Sequence, residues 1–165
     1  MATKSSSPLI RPRPVSVIAV VWLYLGGSWV FTGVVMAALW TWLLAFLPGR
    51  AGPWPPSAMA FMYGWVSTII ALGAAGIWAA LGLLELRGSA RARLEKLNFI
   101  TAGLLAVFGF YWAHDMLSTQ YLSDLHFELA LGSVLMGCIS SVPFLWMAKA
   151  LRGRDVRTAC EAAHR

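Results

Sequence analysis

The sequence predicts an all-α fold, an integral membrane bundle of four transmembrane helices. Three observations predict it. Hydrophobic residues make up 59% of the 165-residue chain and charged residues only 12%, against roughly 45–50% and about 25% in soluble domains. The apolar residues fall into four long stretches, each near or beyond the roughly 20 residues that a bilayer-crossing helix needs. The basic residues collect in alternate connections between those stretches, as cytoplasmic loops do. A chain this short cannot hide so much apolar surface in one aqueous core, because small domains bury a smaller share of their surface. One domain, 1–165, is therefore expected.

The first stretch runs from Val15 to Leu47, 33 residues interrupted only by Gly, Ser and Thr. As one straight helix it would measure about 50 Å, well over the roughly 30 Å hydrocarbon core. Its span is expected over 15–39. "WTWLLAF" would then carry on to residue 47 as an extended or interfacial segment, with Trp40 and Trp42 at headgroup level. The stretch is too long for the apolar region of a cleaved signal peptide, so "RPRP" reads as the start of a retained anchor, with Pro14 in the first helical turn. "LPGRAGPWPPS", residues 47–57, holds four prolines and two glycines and is read as a loop.

The second helix is expected over 58–86 and the third over 94–113, joined by the connection "LRGSARARLEK", residues 86–96. The polar stretch "HDMLSTQYLSDLHFE", residues 114–128, follows. The fourth helix is expected over 127–151, with Pro143 bending it, and a basic tail over 152–165. Each half starts with basic residues, crosses and returns, which leaves a two-hairpin repeat open.

Lys4, Arg11 and Arg13 precede the first helix, and Arg87, Arg91, Arg93 and Lys96 lie between the second and third. Lys149, Arg152, Arg154, Arg157 and Arg165 end or follow the fourth. Arg50 alone among the cations falls on the other side, with Asp115, Asp124 and Glu128. This split places both termini in the cytoplasm and residues 114–128 outside. It also accounts for the pI of about 9.9 as a topology signal, so no nucleic-acid partner is expected. Trp54, Trp65, Tyr111, Trp112 and Tyr121 are expected in the outer aromatic belt, and Trp22, Tyr24 and Trp146 in the inner one.

Helices in lipid associate where small residues let backbones approach. Gly33 and Ala37 in the first helix are candidate seam residues, as are Ala71, Ala75 and Ala79 in the second and Ser133, Gly137 and Ser141 in the fourth. Tyr24, Ser28, Thr32, Asn98 and Thr101 are polar residues able to bridge helices. Cys138, deep in an apolar run, is expected as a small packing residue, and Cys160 lies in the basic tail, so the two are not expected to form a disulfide.

Chemistry-bearing residues are few. There is no GxSxG, HExxH, phosphate-binding loop or CxxC. No carboxylate falls at mid-bilayer depth, where proton-coupled transport would need one. Glu85 sits at the end of the second helix, close to Arg87. The candidate metal ligands are His114, Asp115, Asp124, His126 and Glu128 in the outer stretch, since imidazole and carboxylate together bind zinc, iron or copper. In a helix, position 126 would point about 200° away from 124 and 128, so only an extended backbone brings all three together. The same stretch could instead be a solvated loop, or an acidic dock for a basic soluble partner.

The opening "RPRPVSVIAVVWLYLGG" and the later "GLLELRGSARAR" resemble small uncharacterised bacterial four-helix integral membrane proteins. In those, an Arg-Pro start leads into a first helix with paired glycines, and a short basic turn ends the second. The resemblance implies a multi-pass protein of the bacterial inner (cytoplasmic) membrane and carries no activity. The expectation is a non-enzymatic accessory or structural subunit of a larger membrane complex, of which respiratory and photosynthetic complexes are examples. Its partners would be membrane lipids and other integral membrane subunits. The alternative is a membrane protein that holds a metal, quinone or lipid, either through the outer His/Asp/Glu stretch or in a crevice at Pro143. No particular cofactor is assigned.

Overall fold

In a computed structural model of the chain, residues 12–46, 56–118 and 126–163 are described. They form five helices in chain order: α1 (Arg13–Phe46), α2 (Pro56–Leu84), α3 (Gly88–Ser118), α4 (His126–Leu151) and α5 (Arg154–Ala162). No strand occurs among the described residues. Four spans are long and apolar enough to cross a membrane: Arg13–Leu44, Met59–Leu84, Gly88–Asp115 and Phe127–Leu151.

Several boundaries differ from those expected, among them the end of α3, which runs to Ser118 rather than 113 and so takes in the start of the polar stretch. Helix α1 does not leave the helical conformation near Leu39 but runs on through "WTWLLAF" to Phe46. Nothing in that segment breaks a helix, and Leu and Ala favour one. Helix α3 begins at Gly88, so most of the expected second connection is helical, and "RARLEK" holds only helix formers. The true turn is residues 85–87. It is a Schellman motif: Arg87 N–H donates to the Gly82 carbonyl (3.0 Å) and Leu86 N–H to the Leu83 carbonyl (2.9 Å). The left-handed position is usually glycine but here is Leu86, at φ 57°. That conformation costs a side-chain-bearing residue about 1–2 kcal/mol. Leu86 is almost wholly buried among core residues, which offsets the cost by roughly 1.5–3 kcal/mol.

The expected tail becomes α5, after a break at Arg152 and Gly153. Val156 and Cys160, four residues apart and so on one face, are buried in the same cluster as Val15, Leu94 and Leu151. Beside that face, on the exposed flank of α5, Arg157 pairs with Glu161 at 2.9 Å.

The first four helices run antiparallel to their neighbours in sequence, as the pairings show. Gly26 meets Gly73, and Gly33 meets Ile70. Trp65 stacks on Phe108 (4.5 Å) and Phe61 on Tyr111 (5.8 Å). Gly109 meets Gly137. Most of the core lies toward one end, where Val15, Ile18, Trp22, Leu83, Leu94 and Leu151 are fully buried. Trp22 is therefore not a belt residue. Its ring packs over Gly76, edge-on to Trp29 and Phe144. Its indole N–H donates to Asn98 Oδ1 (3.2 Å), and Asn98 Nδ2 donates to the Leu94 carbonyl (2.8 Å). A buried indole and amide thereby satisfy each other and tie α1 to α3. Tyr24 and Trp146 face outward.

Every described Lys and Arg lies at that same end: Arg13, Arg87, Arg91, Arg93, Lys96, Lys149, Arg152, Arg154 and Arg157. Several are engaged there. Arg91 Nη1 donates to the terminal carbonyl of α4, at Leu151 (3.0 Å). Arg152 pairs with Glu95 at 2.6 Å, Glu85 with Arg87 at 2.5 Å, and the Arg93 guanidinium lies 4.3 Å from the Trp78 ring. The opposite end shows His114, Asp115 and Glu128.

Candidate functional site

A close backbone approach forms the α3–α4 seam. A Cβ on Gly137 would lie 2.7 Å from the Leu105 carbonyl oxygen, and one on Gly109 would lie 2.6 Å from that of Ser133. Only glycine at both positions permits this approach. Ser141 Oγ lies 2.8 Å from both the Ala102 carbonyl and that of Gly137, so its O–H bridges the two helices. Ser133 Oγ donates to Leu129 within its own helix (2.9 Å). The candidate seam Ser133–Gly137–Ser141 thus has α3 as its partner, a pairing not assignable from sequence.

Beside the seam, a groove of about 520 Å³ opens on the outside of the bundle. Phe108 and Trp112 of α3 line it together with Gly132, Ser133, Met136 and Ser140 of α4. A Cβ on Gly132 would meet nothing within 4 Å. Among the described residues the groove is therefore open at Gly132. Glu128, exposed in the first turn of α4, stands at one end of the groove.

Elsewhere the candidate small residues separate. Gly33 is buried against Ile70 and Val66, Ala37 is half-buried, Ala71 is exposed, Ala75 is half-buried, and Ala79 is buried in the core. The close α1–α2 crossing was missed: Gly26 and Gly73 would each place a Cβ 2.7 Å from the other's carbonyl oxygen. The "GG" at 26–27 and the seven-residue step from Gly26 to Gly33 were its signal in sequence. Cys138, expected to be buried, is exposed on α4, whereas Cys160 is buried. Burial pushes the Cys160 thiol pKa up, opposed in part by the Arg91 charge and reinforced by Glu161. Pro143 lies on an exposed face of α4, which is one helix from His126 to Leu151.

Of the five candidate metal ligands, His114 and Asp115 are exposed near the end of α3, and Glu128 is exposed at the start of α4. Ser118 Oγ donates to the Asp115 carbonyl at 2.9 Å. Asp124 lies outside the described residues, and His126 is the first residue of α4. Helical geometry sets positions 126 and 128 about 200° apart around the axis. Among the described residues no three His, Cys, Asp or Glu gather as a metal ion would require.

The fold and these surfaces define the class: an all-α chain with four helices able to cross a bilayer, its described cations at one end. Comparisons with protein-family models, curated proteins and solved structures returned no match.

Proposed function

We propose that this chain is a non-catalytic accessory subunit of a larger membrane complex, seated through its α3–α4 groove on a transmembrane helix of a partner subunit. The groove carries this reading. Gly132, where an added Cβ would meet none of the described residues within 4 Å, lets another backbone approach, and Phe108 and Trp112 supply contact area. In lipid such packing, rather than expulsion of water, drives helix association. Long exposed apolar faces, with Phe31 and Leu39 on α1 and Leu135, Ile139 and Val142 on α4, meet acyl chains or further subunits. The one-sided cations support a multi-pass orientation in the bacterial inner membrane with both termini cytoplasmic. Asp115 and Glu128 at the other end offer a weak dock for a basic soluble partner.

A native gel in a mild detergent tests the reading. The chain is expected to migrate with larger subunits, and Gly132→Leu is expected to release it while leaving its own fold intact. Migration of the wild-type chain as a lone 18.0 kDa protein, or as a homo-oligomer only, would overturn it.

A further inference from the structure

A second cavity, of about 290 Å³, lies between the two hairpins near mid-span, walled by α1, α2 and α3. Trp29 and Trp65 line it with Thr32, Thr68, Thr101 and Leu104. Both indoles are fixed from behind: Trp29 by Trp22 and Phe144, and Trp65 by Phe108, stacked at 13° between planes. The cavity is thus largely pre-formed. Thr101 is 2% exposed, and its hydroxyl has no hydrogen-bond partner among the described residues. A helical threonine normally turns its hydroxyl onto a carbonyl of the preceding turn, as Thr68 does onto Gly64 (2.8 Å). An unpaired hydroxyl in an apolar setting costs about 1–3 kcal/mol, so a missing partner is indicated. Thr101 is itself one of the residues that line the cavity.

We propose that this cavity binds the head ring of a neutral, carbonyl-bearing lipophile of the quinone type, with Thr101 Oγ1 donating to a ring carbonyl. The lining sets the chemistry. No charged side chain lines the cavity, so ions and phospholipid headgroups gain nothing there. No His, Cys or Met lines it either, which leaves a haem without an axial ligand of those kinds. The volume is at the lower limit for small-molecule sites; it takes one substituted six-membered ring and leaves the tail to run out between the helices. Indole walls favour a flat ring, and the unpaired Thr101 hydroxyl asks for an acceptor. This proposal concerns a different surface from the groove and stands or falls independently of the subunit reading.

The test uses the full chain in detergent with 2,3-dimethoxy-5-methyl-6-decyl-1,4-benzoquinone as the probe and decane as the tail-only control. The quinone is expected to quench part of the tryptophan fluorescence saturably and to raise the unfolding temperature, while decane does neither. Thr101→Val is expected to weaken binding about three- to tenfold, the range for one net hydrogen bond. Thr101→Ser should keep it, and Leu72→Phe, which fills the cavity, should abolish it. Absence of a saturable wild-type response, an equal thermal shift with decane, or equal affinity in the Val and Ser variants would overturn the proposal. The wild-type thermal shift decides the matter should a variant fail to fold.

Discussion

Asn98→Leu is the most informative single substitution in the core. It keeps the bulk of the side chain and removes its polar atoms. The Trp22 indole N–H then loses its acceptor, 3.2 Å away, in a site where Trp22 and Asn98 are both fully buried. Hydrogen bonds between helices in lipid average about 0.6 kcal/mol and reach about 1.7, and an orphaned buried donor costs roughly 1–3 kcal/mol. The added apolar contact of leucine returns part of this, so a net loss of about 1–2 kcal/mol is expected. Trp22→Phe should cost more, about 2–4 kcal/mol. It orphans Asn98 and also removes the benzo ring packed on Gly76 and edge-on to Trp29 and Phe144. Reversible unfolding in mixed dodecyl sulfate micelles, followed by far-ultraviolet circular dichroism, reads both. The double variant should be more stable than the sum of the single losses by about 1 kcal/mol, the sign of a direct pair. Additivity within about 0.3 kcal/mol would refute the claim that these residues satisfy one another.

The Gly26–Gly73 crossing predicts a sharp contrast between glycines. Gly73→Ala forces a 2.7 Å approach out toward the ordinary 3.4 Å and should destabilise by about 1–2 kcal/mol, whereas Gly103→Ala, with nothing within 4 Å, should be neutral or stabilising by up to about 1 kcal/mol in the same assay. Val156→Asp places a charge in the buried face of α5 and should free that helix to limited proteolysis while leaving the four-helix unit folded. The raised Cys160 pKa predicts a pH dependence of the docking of α5. The docked thiol holds its proton above the ordinary value of 9.0, so docking is complete below that pH and weakens as pH rises through the raised value. Aqueous thiol reagents should therefore modify Cys160 slowly at neutral pH and faster as α5 releases, and Cys160→Ala should abolish the alkaline loss.

Run length and punctuation made the four helices legible. The proline-rich stretch at 48–56 divides the first two, and basic residues mark one end of the bundle. Packing was far less legible, for a physical reason. A helix that is apolar all round carries no stripe to say which face turns inward, so sequence could not distinguish Gly26, which crosses Gly73, from Gly27, whose Cβ would meet nothing. The same lack hid Trp22, whose position near a helix end suited a belt but whose indole N–H finds Asn98 in the core. Helix α5 does carry an amphipathic signal in Val156 and Cys160, but the run of arginines around them reads as tail. Leu86 in a left-handed turn ran against the preference for glycine there, and only its burial explains it. Of the functional surfaces, the Ser133–Gly137–Ser141 stripe could be read in advance. The cavity at Thr101 could not, because it depends on how two hairpins meet.

The central claim is a four-span chain whose described cations share one end of the bundle, and site-directed labelling tests it most directly. In a Cys138→Ala, Cys160→Ala background, Ser89→Cys reports the basic end and Ser118→Cys the opposite end, both at exposed positions. Intact bacterial cells expressing each variant are treated with a membrane-impermeant maleimide. The account predicts labelling of the variant at 118 in intact cells and of the variant at 89 only after permeabilisation. Labelling of both from the same side would contradict it.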